Sequence, residues 1–162
     1  MGDVKEYKFS YRELDDDSLL STEDRLLLSK ARAVTAQAYA PYSNFFVGAA
    51  ALLSNKEIIT ATNQENASFP AGICAERVLL SAVTSLYGTI AIDTIAISYN
   101  KKNGESDHPI SPCGICRQSL VEFESRVKKP IRLILGGMKG KVAILDSASF
   151  LLPLNFGGEE IL

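Results

Sequence analysis

Long apolar runs, surplus positive charge, cysteine and histidine are what this sequence has least of. No stretch approaches the eighteen or so apolar residues that cross a bilayer, so no membrane span is expected. Lysine and arginine number 17 against 19 aspartate and glutamate, a formal net charge of −2. A chain built to hold a polyanion needs clustered Lys and Arg instead, so small molecules are the better class of ligand. Residues 1–6 lack the apolar core of a secretory signal, and Glu6 stands where a myristoylation signal wants Ser or Thr. The expectation is a soluble, cytoplasmic protein with no nucleic-acid or membrane partner. Cysteine occurs three times and histidine once. An odd cysteine count fits a disulfide framework poorly, and in a reducing compartment a CxxC pair points to metal or redox work.

The 162 residues suffice for one domain with its own core. No repeat, low-complexity run or linker divides them, so a single domain over 1–162 is expected, with an N-terminal extension at 1–20. Within the extension Tyr7, Phe9 and Tyr11 alternate, which suggests a short edge strand or an arm laid on the body. Ser21 and Thr22 ahead of Glu23 and Asp24 form a helix N-cap cluster, and Leu26, Leu27, Ala31, Val34 and Ala38 then recur at helical spacing. Residues 46–53 read as a buried strand, Asn55-Lys56 as a hairpin turn and 58–63 as the returning strand. Pro70 and Gly72 break the chain before a helix over 74–87 with a wide apolar stripe. A strand over 94–99, a polar loop over 100–111 and a helix from 113 to about 126 follow. The link 136–140, between strands at 131–135 and 142–145, is too short for a parallel crossover, which makes the last two strands an antiparallel hairpin.

All three cysteines fall in two short motifs. One is the run Asn-Gln-Glu-Asn-Ala-Ser-Phe-Pro-Ala-Gly-Ile-Cys-Ala-Glu-Arg at 63–77, and the other is Pro112-Cys113-Gly114-Ile115-Cys116. A catalytic zinc takes three protein ligands and leaves its fourth tetrahedral position to water, whereas a structural zinc is closed by four. Two sulfurs of a CxxC at a helix start project from one turn toward a common point, where the helix N-terminus favours thiolate. A second helix beginning at Cys74 can bring the third sulfur there. Glu76 would then stand beside the metal as general acid and base. Three thiolates leave the zinc site net negative, which raises the pKa of a bound water, so donors to sulfur are expected nearby; Arg77 and Arg117 are the candidates. A redox CxxC, and a structural zinc closed by His108, are the competing readings of these residues.

Cys-Ala-Glu followed by Pro-Cys-x-x-Cys is similar to the zinc-deaminase signature in its three-cysteine form. The resemblance extends to the small homotetrameric cytidine deaminases through Ala38 to Phe45, Val47 to Ala50, 63–77, Pro112 to Gln118, and Leu151-Leu152-Pro153 with Phe156, in that family's order. It covers residues 25–160. It implies a three-layer α/β/α fold with a mixed five-stranded sheet. It also implies hydrolytic deamination of cytidine and 2′-deoxycytidine in pyrimidine salvage, with one Zn²⁺ per subunit on Cys74, Cys113 and Cys116. By the same resemblance Glu76 moves the protons, Asn63 and Glu65 bond the ribose 3′-hydroxyl, and Phe45 packs on the base. Ala75, through its N–H, reads the pyrimidine edge together with Glu76. Arg77 donates to the sulfurs with Gln118 buttressing it, and Phe156 reaches a neighbouring subunit's site, so that the active sites of a homotetramer are shared. Gln64, Phe69 and Gly158 depart from the family's commonest pattern. A deaminase of another aminopyrimidine nucleoside, such as a blasticidin-type antibiotic, and a non-catalytic zinc protein are the alternatives; Asn63 with Glu65 opposes the first, and Glu76 the second.

Overall fold

In the computed structural model, which describes residues 2–161, the first helix starts where the capping residues predict. Ser21 accepts a hydrogen bond from the Asp24 N–H, and Glu23 and Asp24 occupy the first turn of α1 (Thr22–Val34), where the helix dipole favours negative charge. Leu27, Leu28, Ala31 and Val34 form its buried stripe. Among the described residues six strands follow in chain order, β1 (Arg12–Leu14), β2 (Phe45–Leu53), β3 (Ile58–Thr62), β4 (Ile92–Lys101), β5 (Arg132–Gly136) and β6 (Val142–Leu145). They make one sheet in the order β1-β6-β5-β4-β2-β3. Only β4 and β5 run parallel, and the crossover between them carries α3 (Gly114–Val127); α2 (Ala75–Tyr87) lies between β3 and β4.

Both faces of the sheet are covered, which is why β2 reads as a continuous apolar run instead of an alternating one. Ala50 and Leu52 face α1 together with Ala96, Ile134 and Ile144. Ala49, Ala51 and Leu53 face the opposite layer, packing with Ile95, Ile97 and Leu133 against Leu79 and Val83 of α2 and Leu120 and Phe123 of α3. At Gly48 a Cβ would lie 2.1 Å from the Ala31 carbonyl oxygen, so glycine there lets α1 settle on the sheet.

The sheet has six strands where five were expected. The added one is β1, inside the extension and antiparallel to β6, one step after the aromatic alternation that suggested an edge strand. Tyr7 and Tyr11 stay largely exposed, while Phe9 lies 6.1 Å from the Phe150 ring. The aromatics are thus the arm, and the strand is the polar segment after it, paired through its backbone and tied by Lys141 to Glu13 at 2.6 Å.

Beyond β6 the chain is fastened to α3. The buried Glu124 carboxylate accepts from the N–H groups of Ile131 at 2.6 Å, Ala148 at 3.0 Å and Ser149 at 3.1 Å, and from the Ser147 hydroxyl at 3.0 Å. Truncation would strand those donors in the core, and a buried unsatisfied polar group costs about 1–3 kcal/mol. Glu124→Ala is therefore expected to lower unfolding stability in urea by about 3 kcal/mol. A midpoint unchanged from the parent protein would show that the turn at 147–149 holds without the carboxylate.

Candidate active site

The amino ends of α2 and α3 meet at one place. Cys74 and Cys113 are the N-cap residues of these helices, with extended backbones at φ −72°, ψ 152° and φ −68°, ψ 169°, and Cys116 sits in the first turn of α3. Cys74 is brought there by paired N–H to carbonyl bonds of 2.9 Å between Gln64 and Ile73, which zip the segment just after β3 to the residue preceding Cys74. Sγ of Cys113 lies 3.7 Å from that of Cys74 and 3.4 Å from that of Cys116, and all three sulfurs fall within 4.8 Å of one another. Tetrahedral Zn–S bonds of about 2.3 Å place sulfurs about 3.8 Å apart, so this donor set fits zinc. The same spacing is far beyond a disulfide bond of about 2.05 Å, and all three thiols are free.

His108 does not close the set. Its Nδ1 is 3.3 Å from the Tyr99 hydroxyl and 3.1 Å from Asp107, and among the described residues the metal-ligating cluster is the three cysteines. The fourth coordination position is left for water or substrate, as in a catalytic site.

Charge is distributed unevenly over the thiols. The clustered thiols, Cys116 foremost, lower the Cys74 pKa to about 6, against burial and the nearby Glu76 charge, with help from Arg77. Contact with Cys74, burial and Glu76 drive the Cys116 thiol upward. Without a cation the cluster thus concentrates negative charge on one sulfur; a divalent ion removes that restriction. Glu76 is 5% exposed, and burial raises its carboxyl pKa, partly opposed by its own N–H and by Cys116. A buried carboxyl whose pKa is raised, next in sequence but one to a metal-ligating cysteine, is suited to proton transfer.

Around this centre the chain places Ala75 fully buried at the start of α2, where first-turn N–H groups have no partner within the helix. Asn63 Oδ1 accepts from the Val47 N–H at 2.8 Å and its Nδ2 donates to the Phe45 carbonyl at 3.0 Å. Glu65 Oε2 accepts from the N–H groups of Tyr42 at 2.9 Å and Ser43 at 3.3 Å; bonds from Ser43 and Tyr42 hold its pKa below the usual carboxylate value. Both side chains therefore fix the backbone of 42–47. Each keeps bonding capacity, since Asn has a second amide hydrogen and Glu a second oxygen. A cleft of about 370 Å³ lined by Tyr42, Ser43, Glu65, Asn66, Phe69 and Gly72 opens beside them. The half-buried Phe45 stacks on Tyr99, ring centroids 5.0 Å apart at 19°.

Three basic or amide side chains sit differently from expectation. Arg77 acts on Cys74 through its charge and lies along the groove between α2 and α3. Arg117 is turned from the sulfurs, donating to the carbonyls of Pro112 at 2.8 Å and Leu151 at 3.1 Å. Gln118 donates to the Phe156 carbonyl at 2.8 Å instead of buttressing Arg77. The Pro112 carbonyl, just ahead of the α3 cap, and the carbonyls of Leu151 and Phe156 in the irregular tail occupy these donors. Phe156 itself is 60% exposed.

A sequence profile of the cytidine and deoxycytidylate deaminase zinc-binding region matches residues 21–131, which hold all three cysteines and Glu76. The chain is 33% identical over 137 residues to the cytidine deaminase of Halalkalibacterium halodurans, covering 85% of this chain and 96% of that protein. To the cytidine deaminase of Mycoplasma genitalium it is 38% identical over 104 residues, 64% of this chain and 75% of that one. The crystal structure of cytidine deaminase from Burkholderia pseudomallei superposes with a TM-score of 0.71 at 34% identity, covering 85% of this chain and all of that one. A profile across most of the sequence, relatives matched over three quarters or more of their length and a three-sulfur site that fits zinc agree: the chain belongs to the zinc-dependent cytidine deaminase family, in its three-cysteine form.

Proposed function

We propose that the chain hydrolyses cytidine and 2′-deoxycytidine to uridine and 2′-deoxyuridine with release of ammonia, as an enzyme of pyrimidine salvage in the cytoplasm. The observation that carries this is the buried Glu76 carboxyl set against the sulfurs of Cys74, Cys113 and Cys116. Those three thiolates would hold Zn²⁺, which when bound supplies the Lewis acidity that makes water nucleophilic near neutral pH. Glu76 takes one proton of the attacking water and delivers it to N3 of the base, then takes the second from the new C4 hydroxyl and delivers it to the amino group, so that the C4–N bond breaks, ammonia leaves and the C4 carbonyl forms. The Ala75 N–H and Glu76 together recognise the pyrimidine edge. The free amide hydrogen of Asn63 and the free oxygen of Glu65 meet the ribose 3′-hydroxyl, and Phe45 packs on the base. Arg77 offsets the thiolate charge. Among the described residues no helix is long and apolar enough to cross a membrane.

Phe156 completes the reading. Its ring is exposed while its carbonyl is held by Gln118, which suits a side chain offered to a neighbouring subunit in a homotetramer with shared sites. Zinc-loaded protein mixed with cytidine or 2′-deoxycytidine should lose the ultraviolet absorbance of the aminopyrimidine, with kcat/KM above about 10⁴ M⁻¹s⁻¹; no change with either nucleoside would sink the reading. Phe156→Ala removes a ring stack of about 0.5–1.5 kcal/mol, so KM should rise about fivefold. Unchanged kinetic constants in that variant, together with monomeric sedimentation, would dismiss the shared site.

A further inference from the structure

We propose that Tyr99 is a positioning residue for nucleoside binding, holding the ring of Phe45 from behind through a stack that His108 anchors. The inference rests on the reading that Phe45 packs on the base. Antiparallel pairing sets Val47 opposite Tyr99 and Phe45 opposite Lys101, and side chains alternate along strands. Phe45, Val47 and Tyr99 therefore share one face of the sheet, the face covered by α2 and α3. Tyr99 is 2% exposed, and its ring lies nearly parallel to that of Phe45, 5.0 Å away. Asn63 already clamps the backbone on both sides of Phe46 through the Phe45 carbonyl and the Val47 N–H. The backbone of Phe45 is thus fixed by Asn63 and the plane of its ring by Tyr99.

The Tyr99 ring is itself tethered. Its hydroxyl is 3.3 Å from Nδ1 and 3.4 Å from Nε2 of His108, whose ring meets it edge-on at 5.8 Å. Asp107 flanks the imidazole at 3.1 Å. The loop bearing both is packed onto the turn between β5 and β6. A Cβ at Gly137 would lie 2.3 Å from the Ser106 carbonyl oxygen, and one at Gly140, where φ is +77°, would lie 2.0 Å from that of Asp107. The Lys139 N–H donates to the Ser106 carbonyl at 3.2 Å, and the Lys101 N–H to the Ser106 hydroxyl at 2.9 Å. The same loop runs on to Cys113. One rigid segment therefore references both the ring that meets the base and a ligand of the metal. Buried tyrosines pair their hydroxyls as a rule; here the partner lies on the segment that builds the site.

The test is steady-state kinetics on zinc-loaded, full-length protein for Phe45→Ala, Tyr99→Leu, Tyr99→Phe, His108→Ala and the double variant Tyr99→Phe/His108→Ala, each checked for zinc content and melting temperature. Tyr99→Leu, which loses the stack, should raise KM for cytidine about fivefold with kcat near the parent value. Tyr99→Phe and His108→Ala should each raise KM about twofold. The double variant should match either single one, because both remove the same bond. A purely structural role would lower the melting temperature without separating KM from kcat. Unchanged KM in Tyr99→Leu, with Phe45→Ala impaired, overturns this inference alone; unchanged KM in Phe45→Ala overturns the packing of Phe45 on the base as well. Should Tyr99→Leu not fold, unchanged KM in both Tyr99→Phe and His108→Ala overturns the anchored stack.

Discussion

Glu76→Gln should lower kcat for cytidine by about 10²- to 10⁴-fold, the range a general acid and base contributes, while one zinc per chain stays bound. Glutamine keeps the volume of the side chain, so what is lost is the capacity to carry a proton. Because Glu76 is asked to serve the water, N3 and the leaving amine in turn, the upper end of that range is expected. Ultraviolet-monitored turnover with metal analysis on the same sample decides it: full zinc with activity within about tenfold of the parent would rule out Glu76 as the proton carrier.

The same substitution has a sign in stability. Burial raises the folded-state pKa of Glu76, so the carboxyl stabilises the fold most when protonated. Its contribution is fully present below the unfolded value of about 4.3 and is lost as pH rises through the folded one. In zinc-free protein Glu76→Gln should therefore melt at or above the parent temperature, and the gap should widen as pH rises above about 4.3. A gap that narrows with rising pH would contradict the burial argument.

The parts of this architecture that short-range chemistry controls were legible in the sequence. The cap of α1 and most of the apolar stripes of α1 and α2 depend on residues three and four apart, although Leu26, expected in the first stripe, is exposed, and the β5–β6 hairpin depends on the length of one turn. The metal ligands were legible because three cysteines leave little choice. What escaped is set by contacts between distant residues. β1 is Arg12-Glu13-Leu14, with no alternation of its own; it is a strand because the β6 edge is there to pair with it. Arg117 looked like an aid to the sulfurs and Gln118 like a support for Arg77, yet they donate to the carbonyls of Leu151 and Phe156, 34 and 38 residues along the chain. Glu124 reads as a solvated helix charge until the turn at 147–149 folds onto it. Tyr99 meets Phe45 only because the register of β2 on β4 brings them together.

Removing the metal should have the largest effect of all. Dialysis against a strong chelator is expected to abolish turnover, and stoichiometric Zn²⁺ should restore it. Cys74→Ala and Cys113→Ala should neither retain zinc nor recover. The reason lies in the charge pattern of the free thiols. The clustered thiols lower the Cys74 pKa to about 6, which favours its thiolate, while contact with Cys74, burial and Glu76 push the Cys116 thiol upward and favour its protonated form. Zinc needs three thiolates, so loading at pH 7 must expel the Cys116 proton, and proton release should accompany metal uptake in weakly buffered solution. Affinity should fall as pH drops through about 6, when the Cys74 thiolate is lost too. Metal bound to the folded chain alone also stabilises it by mass action, about 4 kcal/mol at a thousandfold excess over Kd, so the chelated protein should melt at a lower temperature. Full turnover in chelated protein shown to be metal-free would overturn the catalytic assignment of the cysteines; uptake without proton release would overturn the charge pattern that explains it.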